Sequence, residues 1–408
     1  MSYRTLGELV KIKGGKRLPK GAQLQSEPNN HPYIRVRDMG DKYIPEHGLE
    51  YVPDDVFPSI SRYIVNTNDV IISIVGTIGL VSIIDERFDN ASQTENCAKL
   101  SGLDYVDANY VYYFLNSSSG QQEIRQGTVG AVQAKLPLYS IEKIKVYWPE
   151  RFEREKIVNQ LAMIDRKLGL NTQVNQTLEQ MAQAIFKSWF VDFDPVKAKM
   201  NGEKPEGMDA ATASLFPEKL VESELGLIPD GWEPRQLKDV LELAYGKALK
   251  KTDRVAGDVP VYGSGGLTGY HNQSLVEGPG VIVGRKGTVG SVYWEPKAFY
   301  PIDTVFYVKP KAGYSLEYCH LVLQNLGLKN MNTDAAVPGL NRNNAYRLDV
   351  IAPSADVLDK FEMIVQSFQS KVDANNFQST SLTSLRDVLL PKLLSDDLIL
   401  SNVSKEDK

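Results

Sequence analysis

The sequence predicts an α+β protein written twice: two strand-rich domains, each followed by a long helix, with the two helices pairing as an antiparallel coiled coil. Three observations predict this. Placing the second half over the first at an offset of about 210 brings Val70-Ile71-Ile72 onto Val281-Ile282-Val283 and Gly76-Thr77-Ile78-Gly79 onto Gly287-Thr288-Val289-Gly290. A late block then repeats without a gap at an offset of 204, with apolar residues at alternating steps of four and three, the period of a coiled-coil seam. Between these blocks, short runs rich in Val, Ile and Tyr, bounded by Gly and Pro, read as strands.

Residues 1–150 form the first strand-rich stretch, with runs such as VIISIV and a modest helix at Tyr110 to Leu115. Residues 151–191 carry the first seam, Ile157, Leu161, Ile164, Leu168, Asn171, Asn175, Leu178, Ala182, Ile185 and Trp189. About 39 residues at 1.5 Å each make a rod of roughly 58 Å, long for a surface helix on a globular core, which is the plainer reading. Residues 192–230 are polar and punctuated by Pro and Gly, which marks a connector. The pattern returns in residues 231–354, with a helix at Tyr318 to Leu326, and in 355–395, where Phe361, Val365, Phe368, Val372, Asn375, Ser379 and Leu382 repeat the seam before a tail at 396–408. Asn171, Asn175 and Asn375 interrupt both seams at matching places, as buried asparagines do when they fix register.

Bulk properties exclude several classes. The 408 residues need at least two cores, and 42% hydrophobic with 24% charged residues is ordinary for a water-soluble globular chain. Cys97 and Cys319 are expected as reduced thiols in a cytoplasmic protein. The run from Val70 to Ile84 is broken by Ser, Thr and Gly and too short to span a bilayer, so no membrane role is expected. The glycine tetrads invite a nucleotide-loop reading, but Lys286 precedes its glycines where a phosphate loop needs lysine after them. GSGGLTG from Gly263 opens no helix, so strand-to-strand turns needing positive φ are the expectation. The four histidines show no metal spacing, and no catalytic constellation emerges.

Local charge points elsewhere. From Arg4 to Lys42 there are nine Lys or Arg against four acids, although the net charge is −5. The expected DNA-contacting set comprises Lys13, Lys16, Arg17, Lys20, Arg35, Arg37 and Lys135 in the first copy, and Lys247, Lys250, Lys251, Arg285, Lys286 and Arg342 in the second. Gln93, Thr94, Gln133, Asn341 and Asn343, with Thr77 and Thr288 of the tetrads, supply amides and hydroxyls of the kinds that read base edges or touch phosphates. Phe186, Trp189 and Phe190 at the helix end either staple the helix to its own domain or form a partner contact.

Two segments carry a family resemblance. AQAIFKSWFVDFDPV (Ala182 to Val196) and ESELGLIPDGWEPRQLKDV (Glu222 to Val240) resemble the central conserved helix and the entry to the second recognition domain in specificity subunits of type I restriction-modification systems. The GTIG and GTVG tetrads and AVPGLNRNN at Ala336 to Asn344 are similar to recurring family features, whereas the first copy has AVQAKLPLY at the equivalent place. The resemblance implies that each strand-rich stretch is a target recognition domain reading half of an asymmetric bipartite site in double-stranded DNA. It implies that the helices act as a spacer ruler and dock two methylation subunits, with restriction subunits joining them. It implies no catalysis and no cofactor in this chain, S-adenosylmethionine, ATP and magnesium belonging to the partners. The rivals are a stand-alone DNA-binding or anti-restriction protein of the same fold, then a nuclease with a degenerate site, then a coiled-coil scaffold without nucleic acid.

Overall fold

The long helices at Arg151–Phe190 and Ala355–Leu393 each contribute to two cores. The computed structural model describes residues 3–130, 133–331 and 339–394. The chain divides into two units, one made of residues up to 169 together with those from 379 on, the other of residues 170–378.

The first unit begins with β1 (Tyr3–Thr5), the single turn α1 (Leu6–Leu9) and β2 (Lys11–Gly14), followed by β3 (Pro32–Ile34) and β4 (Glu50–Tyr51). β5 (Val70–Ser73), β6 (Val81–Ile83), β7 (Ser92–Gln93) and β8 (Cys97–Ser101) complete two sheets, an antiparallel one ordered β2-β8-β5-β6 and a smaller one ordered β4-β3-β7. Successive side chains of β5 point to opposite faces. Val70 and Ile72 enter one core with Tyr110, Phe114, Ile157 and Leu161, while Ile71 enters a second with Ile34, Ile44, Val65 and Cys97. Burial on both faces is why VIIS shows no apolar-polar alternation.

Helix α2 (Tyr105–Asn116) starts ahead of the expected Tyr110, at the point where the Asp104 carboxylate caps it by accepting from the Asp107 N–H at 3.0 Å. α3 (Ser118–Gly127) and α4 (Leu138–Glu142) follow, and β9 (Lys145–Tyr147) returns to pair antiparallel with β1. The long helix α5 (Arg151–Phe190) then begins. The core of this unit is closed by Leu390, Leu393 and Leu394.

The segment 192–230, expected as a connector, is instead built into the second unit. It holds α6 (Asp194–Met200), α7 (Ala210–Ser214) and the hairpin β10 (Leu220–Ser223) with β11 (Gly226–Pro229). Phe193, Val196 and Phe216 join Trp232 in the main core. Its Pro and Gly residues delimit these short elements while the few large apolar side chains between them dock inward.

Beyond this segment the first unit's plan is repeated. β12 (Glu233–Gln236), α8 (Leu237–Val240) and β13 (Leu241–Tyr245) precede β14 (Val259–Gly263), β15 (Gly266–His271), β16 (Gly280–Gly284), β17 (Val292–Glu295), β18 (Tyr300–Pro301) and β19 (Val305–Pro310). The larger sheet is ordered β13-β19-β16-β17 and the smaller β15-β14-β18, matching the first unit strand for strand. α9 (Leu316–Asn325), capped by Ser315, α10 (Arg342–Tyr346), β20 (Asp349–Ala352) and α11 (Ala355–Leu393) complete it.

Phe186, Trp189 and Phe190 lie in this core against Phe361, Tyr318, Phe216 and Trp232, with the Phe190 and Phe361 rings 4.8 Å apart. None is more than 6% exposed, so the partner-contact expectation is corrected: they fasten the helix to its own unit. Between α5 and α11 of this unit, Asn171, Asn175 and Asn375 are buried and linked by amide hydrogen bonds. Asn171 reaches Gln378 while Asn175 reaches Asn375 and Asn376, so partner numbers fall as the first helix advances, and the two helix segments run antiparallel.

Candidate nucleic-acid interface

Both tetrads are turns joining antiparallel strands, and neither is a nucleotide loop. Gly76 and Gly79 have φ of 82° and 90°, and Gly287 and Gly290 have 83° and 69°, a region that disfavours any residue with a Cβ. The backbone bonds that close the two turns repeat. Gly79 N–H donates to Ser73 O at 3.0 Å, as Gly290 N–H does to Gly284 O at 2.9 Å. Each turn is also clasped by a later loop: Leu136 N–H donates to Ile74 O at 2.9 Å, and Leu340 N–H to Arg285 O at 2.8 Å. GTVG at Gly127 is different, since its first glycine ends α3.

A second repeated feature lies beside these turns. Gly15 N–H donates to Cys97 O and Lys16 N–H to Gln93 O, just as Gly246 N–H donates to Val305 O and Lys247 N–H to Pro301 O. A Cβ on Gly15 would come within 2.1 Å of Thr94 O, and one on Gly246 within 2.1 Å of Ile302 O, so only glycine allows the approach. Lys16 and Lys247 thus leave their sheets from the same anchored point, and both are exposed.

In the second unit the predicted residues gather around this point. Arg285 donates from Nη1 to Asp303 O at 2.9 Å, and its guanidinium lies 4.9 Å from the Tyr245 ring centroid. Arg342 lies 4.8 Å from the same ring and 5.7 Å from that of Tyr346. Lys286 and Thr288 are exposed, and the hairpin turn at Ser264-Gly265 sits against them, with Ser291 donating to Ser264 O at 2.7 Å. Lys250, Lys251 and Asn343 are exposed. Asn341 has a structural task, its carboxamide oxygen capping α10 through the Asn343 and Asn344 N–H groups. Tyr245 and Ser264 were not picked out by sequence.

In the first unit the structure redistributes the expected set. Lys13, Lys16, Lys20, Thr77, Gln133 and Lys135 are exposed, and Lys16 stands 5.7 Å from the Tyr63 ring. Arg17 bonds Glu95 at 2.6 Å; burial pushes that carboxyl upward, but its hydrogen bonds, that from Arg17 included, hold it below the usual carboxylate range. Arg35 and Arg37 both pair with Glu50, and half-buried Arg35 is held inside the unit rather than presented. Gln93 and Thr94, expected to read bases, are buried at 1% and 6% exposure, which corrects that expectation. Their segment forms β7 and the floor beneath Gly15.

Lys42, the last cation of the basic run, is likewise engaged within the unit. It bonds Asp165 at 3.0 Å and the Tyr113 hydroxyl at 2.7 Å, in a ring of Tyr43, Tyr112 and Tyr113, beside a cavity of about 740 Å³. Burial lowers its pKa against the opposing pull of Asp165. The loop residues Ala131-Val132 and Ala336-Val337, matched by the repeat, lie outside the described residues. Among the described residues no group of His, Cys, Asp and Glu could hold a metal, and no helix is long and apolar enough to cross a membrane.

The family model of the type I restriction modification DNA specificity domain matches residues 1–180 and 229–353, three quarters of the chain. The chain belongs to that family. The specificity subunit resembles the type I restriction enzyme HindI specificity subunit of Haemophilus influenzae, with 28% identity over 338 residues, 68% of this chain and 73% of the relative. It also resembles the MjaIX specificity subunit of Methanocaldococcus jannaschii, 21% identical over 394 residues, 90% of this chain and 84% of the relative. The crystal structure of the type I S subunit from M. genitalium shares the fold, with a TM-score of 0.57 at 19% identity over 97% of this chain and 96% of that one. The specificity subunit recognises DNA sequence and is not itself an enzyme.

Proposed function

We propose that each unit reads one half of an asymmetric bipartite site in double-stranded DNA through the edge formed by its tetrad turn, its glycine-anchored lysine and the loop that clasps the turn. The supporting observation is a duplicated backbone that carries different side chains. Lys16 and Lys247, and Thr77 and Thr288, recur at matching places, as contacts to the sequence-independent phosphates would. Arg285 and Arg342 have no counterpart in the first unit, where Ile74 and Leu138 stand, as differing base contacts would require.

The paired helices serve in this reading as the ruler between half-sites and as the platform for two methylation subunits, with restriction subunits completing the complex. S-adenosylmethionine, ATP and magnesium act in those partners, and the assembly works in the cytoplasm. The test is to purify the chain alone and with its cognate methylation subunit, then map methylated adenines by sequencing. Sequence-specific methylation by the mixture alone is expected; a metal-dependent cleavage by the chain alone overturns the reading. Matched seven-residue insertions after Gly169 and after Gln378 add about 10 Å of helix. They should lengthen the unread spacer by up to about three base pairs with both half-sites intact. A constant spacer overturns the ruler.

A further inference from the structure

The two units differ most sharply where β13 and its counterpart β2 end. In the second unit Tyr245 closes the strand, and the guanidinium groups of Arg285 and Arg342 lie 4.9 and 4.8 Å from its ring centroid. The first unit places Gly14, Ile74 and Leu138 at these positions, none of them charged, and a Cβ on Gly14 would lie 3.9 Å from the Leu138 side chain, so the sites of Tyr245 and Arg342 adjoin there as well. Tyr245 is 48% exposed, too exposed for its ring to be explained as core. It is nonetheless fixed: Tyr245 pairs with Phe306 across the sheet, and the two rings lie 5.0 Å apart. Arg342 is half-buried and makes no ion pair among the described residues, and its Nε has no hydrogen-bond partner.

We infer that Tyr245 is a positioning residue for recognition of the second half-site, its ring holding Arg285 and Arg342 so that Arg342 reads a guanine from a position that is Leu138 in the first unit. The inference rests on the reading that each unit contacts one half-site. Like charges do not gather without a partner between them or an anion beyond them. The ring supplies the first, since a guanidinium over an aromatic face is attracted by the ring's quadrupole. Stacking uses the flat face of the arginine and leaves its edge N–H groups, which match the O6 and N7 acceptors of guanine as a bidentate pair. Holding the planar group before DNA arrives also removes part of the rotamer entropy that a free arginine loses on binding.

The test uses the full chain reconstituted with its cognate methylation subunits, with methylated adenines mapped on a randomised-site library. Tyr245→Phe, which keeps the ring, should reproduce the wild-type motif. Tyr245→Leu and Arg342→Lys should each relax one G·C position in one half-site, with discrimination there falling on the order of tenfold, and leave the other half-site and the spacer unchanged. Arg342→Lys stands independently should Tyr245→Leu lower the melting temperature. An unchanged motif in Tyr245→Leu or Arg342→Lys, relaxation in both half-sites, relaxation at an A·T position, or a Tyr245→Phe variant that behaves like Tyr245→Leu would each overturn the assignment. A wild-type motif that is not bipartite would instead bring down the half-site reading on which it stands.

Discussion

Removing the Asn375 side chain tests what the asparagines between the long helices contribute. In the second unit Asn375 Nδ2 donates to Asn175 Oδ1 at 2.8 Å, Asn175 Nδ2 donates to Asn376 Oδ1 at 2.8 Å, and Asn171 Nδ2 donates to Asn375 O at 3.3 Å and to Gln378 Oε1 at 3.1 Å. Asn375 is 4% exposed and Asn175 9%, so water cannot take the place of a lost partner. Asn375→Ala leaves Asn175 Oδ1 buried without that donor, which costs about 1–3 kcal/mol. The pair Asn175→Leu with Asn375→Leu removes donor and acceptor together, and Asn376, which also loses its bond from Asn175, is exposed to water, so stability should return to within about 1 kcal/mol of wild type. Stability would be recovered while the feature that fixes one register is lost. Urea unfolding followed by tryptophan fluorescence measures this. Trp189, Trp232 and Trp294 lie in the second unit and Trp148 in the first, so a Trp148→Phe background confines the signal to the unit of interest. A single-variant cost below about 0.5 kcal/mol, or a double variant as unstable as the sum of its singles, would refute the argument.

Further outcomes follow from the second unit's core and its half-buried histidine His320. Trp189→Ala should lower the stability of that unit by about 3–5 kcal/mol by calorimetry, because the indole packs against Phe216 and Phe361, and a loss below about 1 kcal/mol would restore the partner-contact reading. Burial lowers the His320 pKa to about 4, below its ordinary value near 6.5. The unfolded chain therefore binds the extra proton first, so stability is full above about pH 6.5, falls as pH drops towards 4, and is down about 1–2 kcal/mol by pH 5. His320→Gln should flatten that part of the pH profile, and an unchanged slope would show that other groups set it.

Much of the architecture was legible because it is written in repeats. The central strand and the tetrad turns align at an offset near 210, and the long seams at 204, with no help from coordinates. That single offset concealed the correspondence of Gly15-Lys16 with Gly246-Lys247, which are 231 apart, because the first unit carries extra chain between β2 and β5. Once those anchors are matched, Tyr245 falls opposite Gly14, and the difference between the units becomes visible. Burial was the other blind spot. Gln93 has the chemistry of a base reader, but it lies on the short strand that floors the Gly15 approach, and nothing in its own neighbourhood of sequence says so. Arg35 and Arg37 share two carboxylates, Asp38 beside them in sequence and Glu50 on β4, and only the first could be suspected from the chain itself. Charge counted along a sequence overstates the charge a surface presents whenever carboxylates from other strands come to meet it.

The composition of the two units also sets an order of events at the ribosome. The second unit is drawn from the unbroken stretch 170–378, whereas the first is sealed by Leu390, Leu393 and Leu394. Domains completed early in synthesis normally fold early. Here the segment made first is finished last, so the nascent chain carries the uncovered flank of Ile157, Val158 and Leu161 until the far helix emerges, and its safekeeping in that interval falls to whatever attends it during translation.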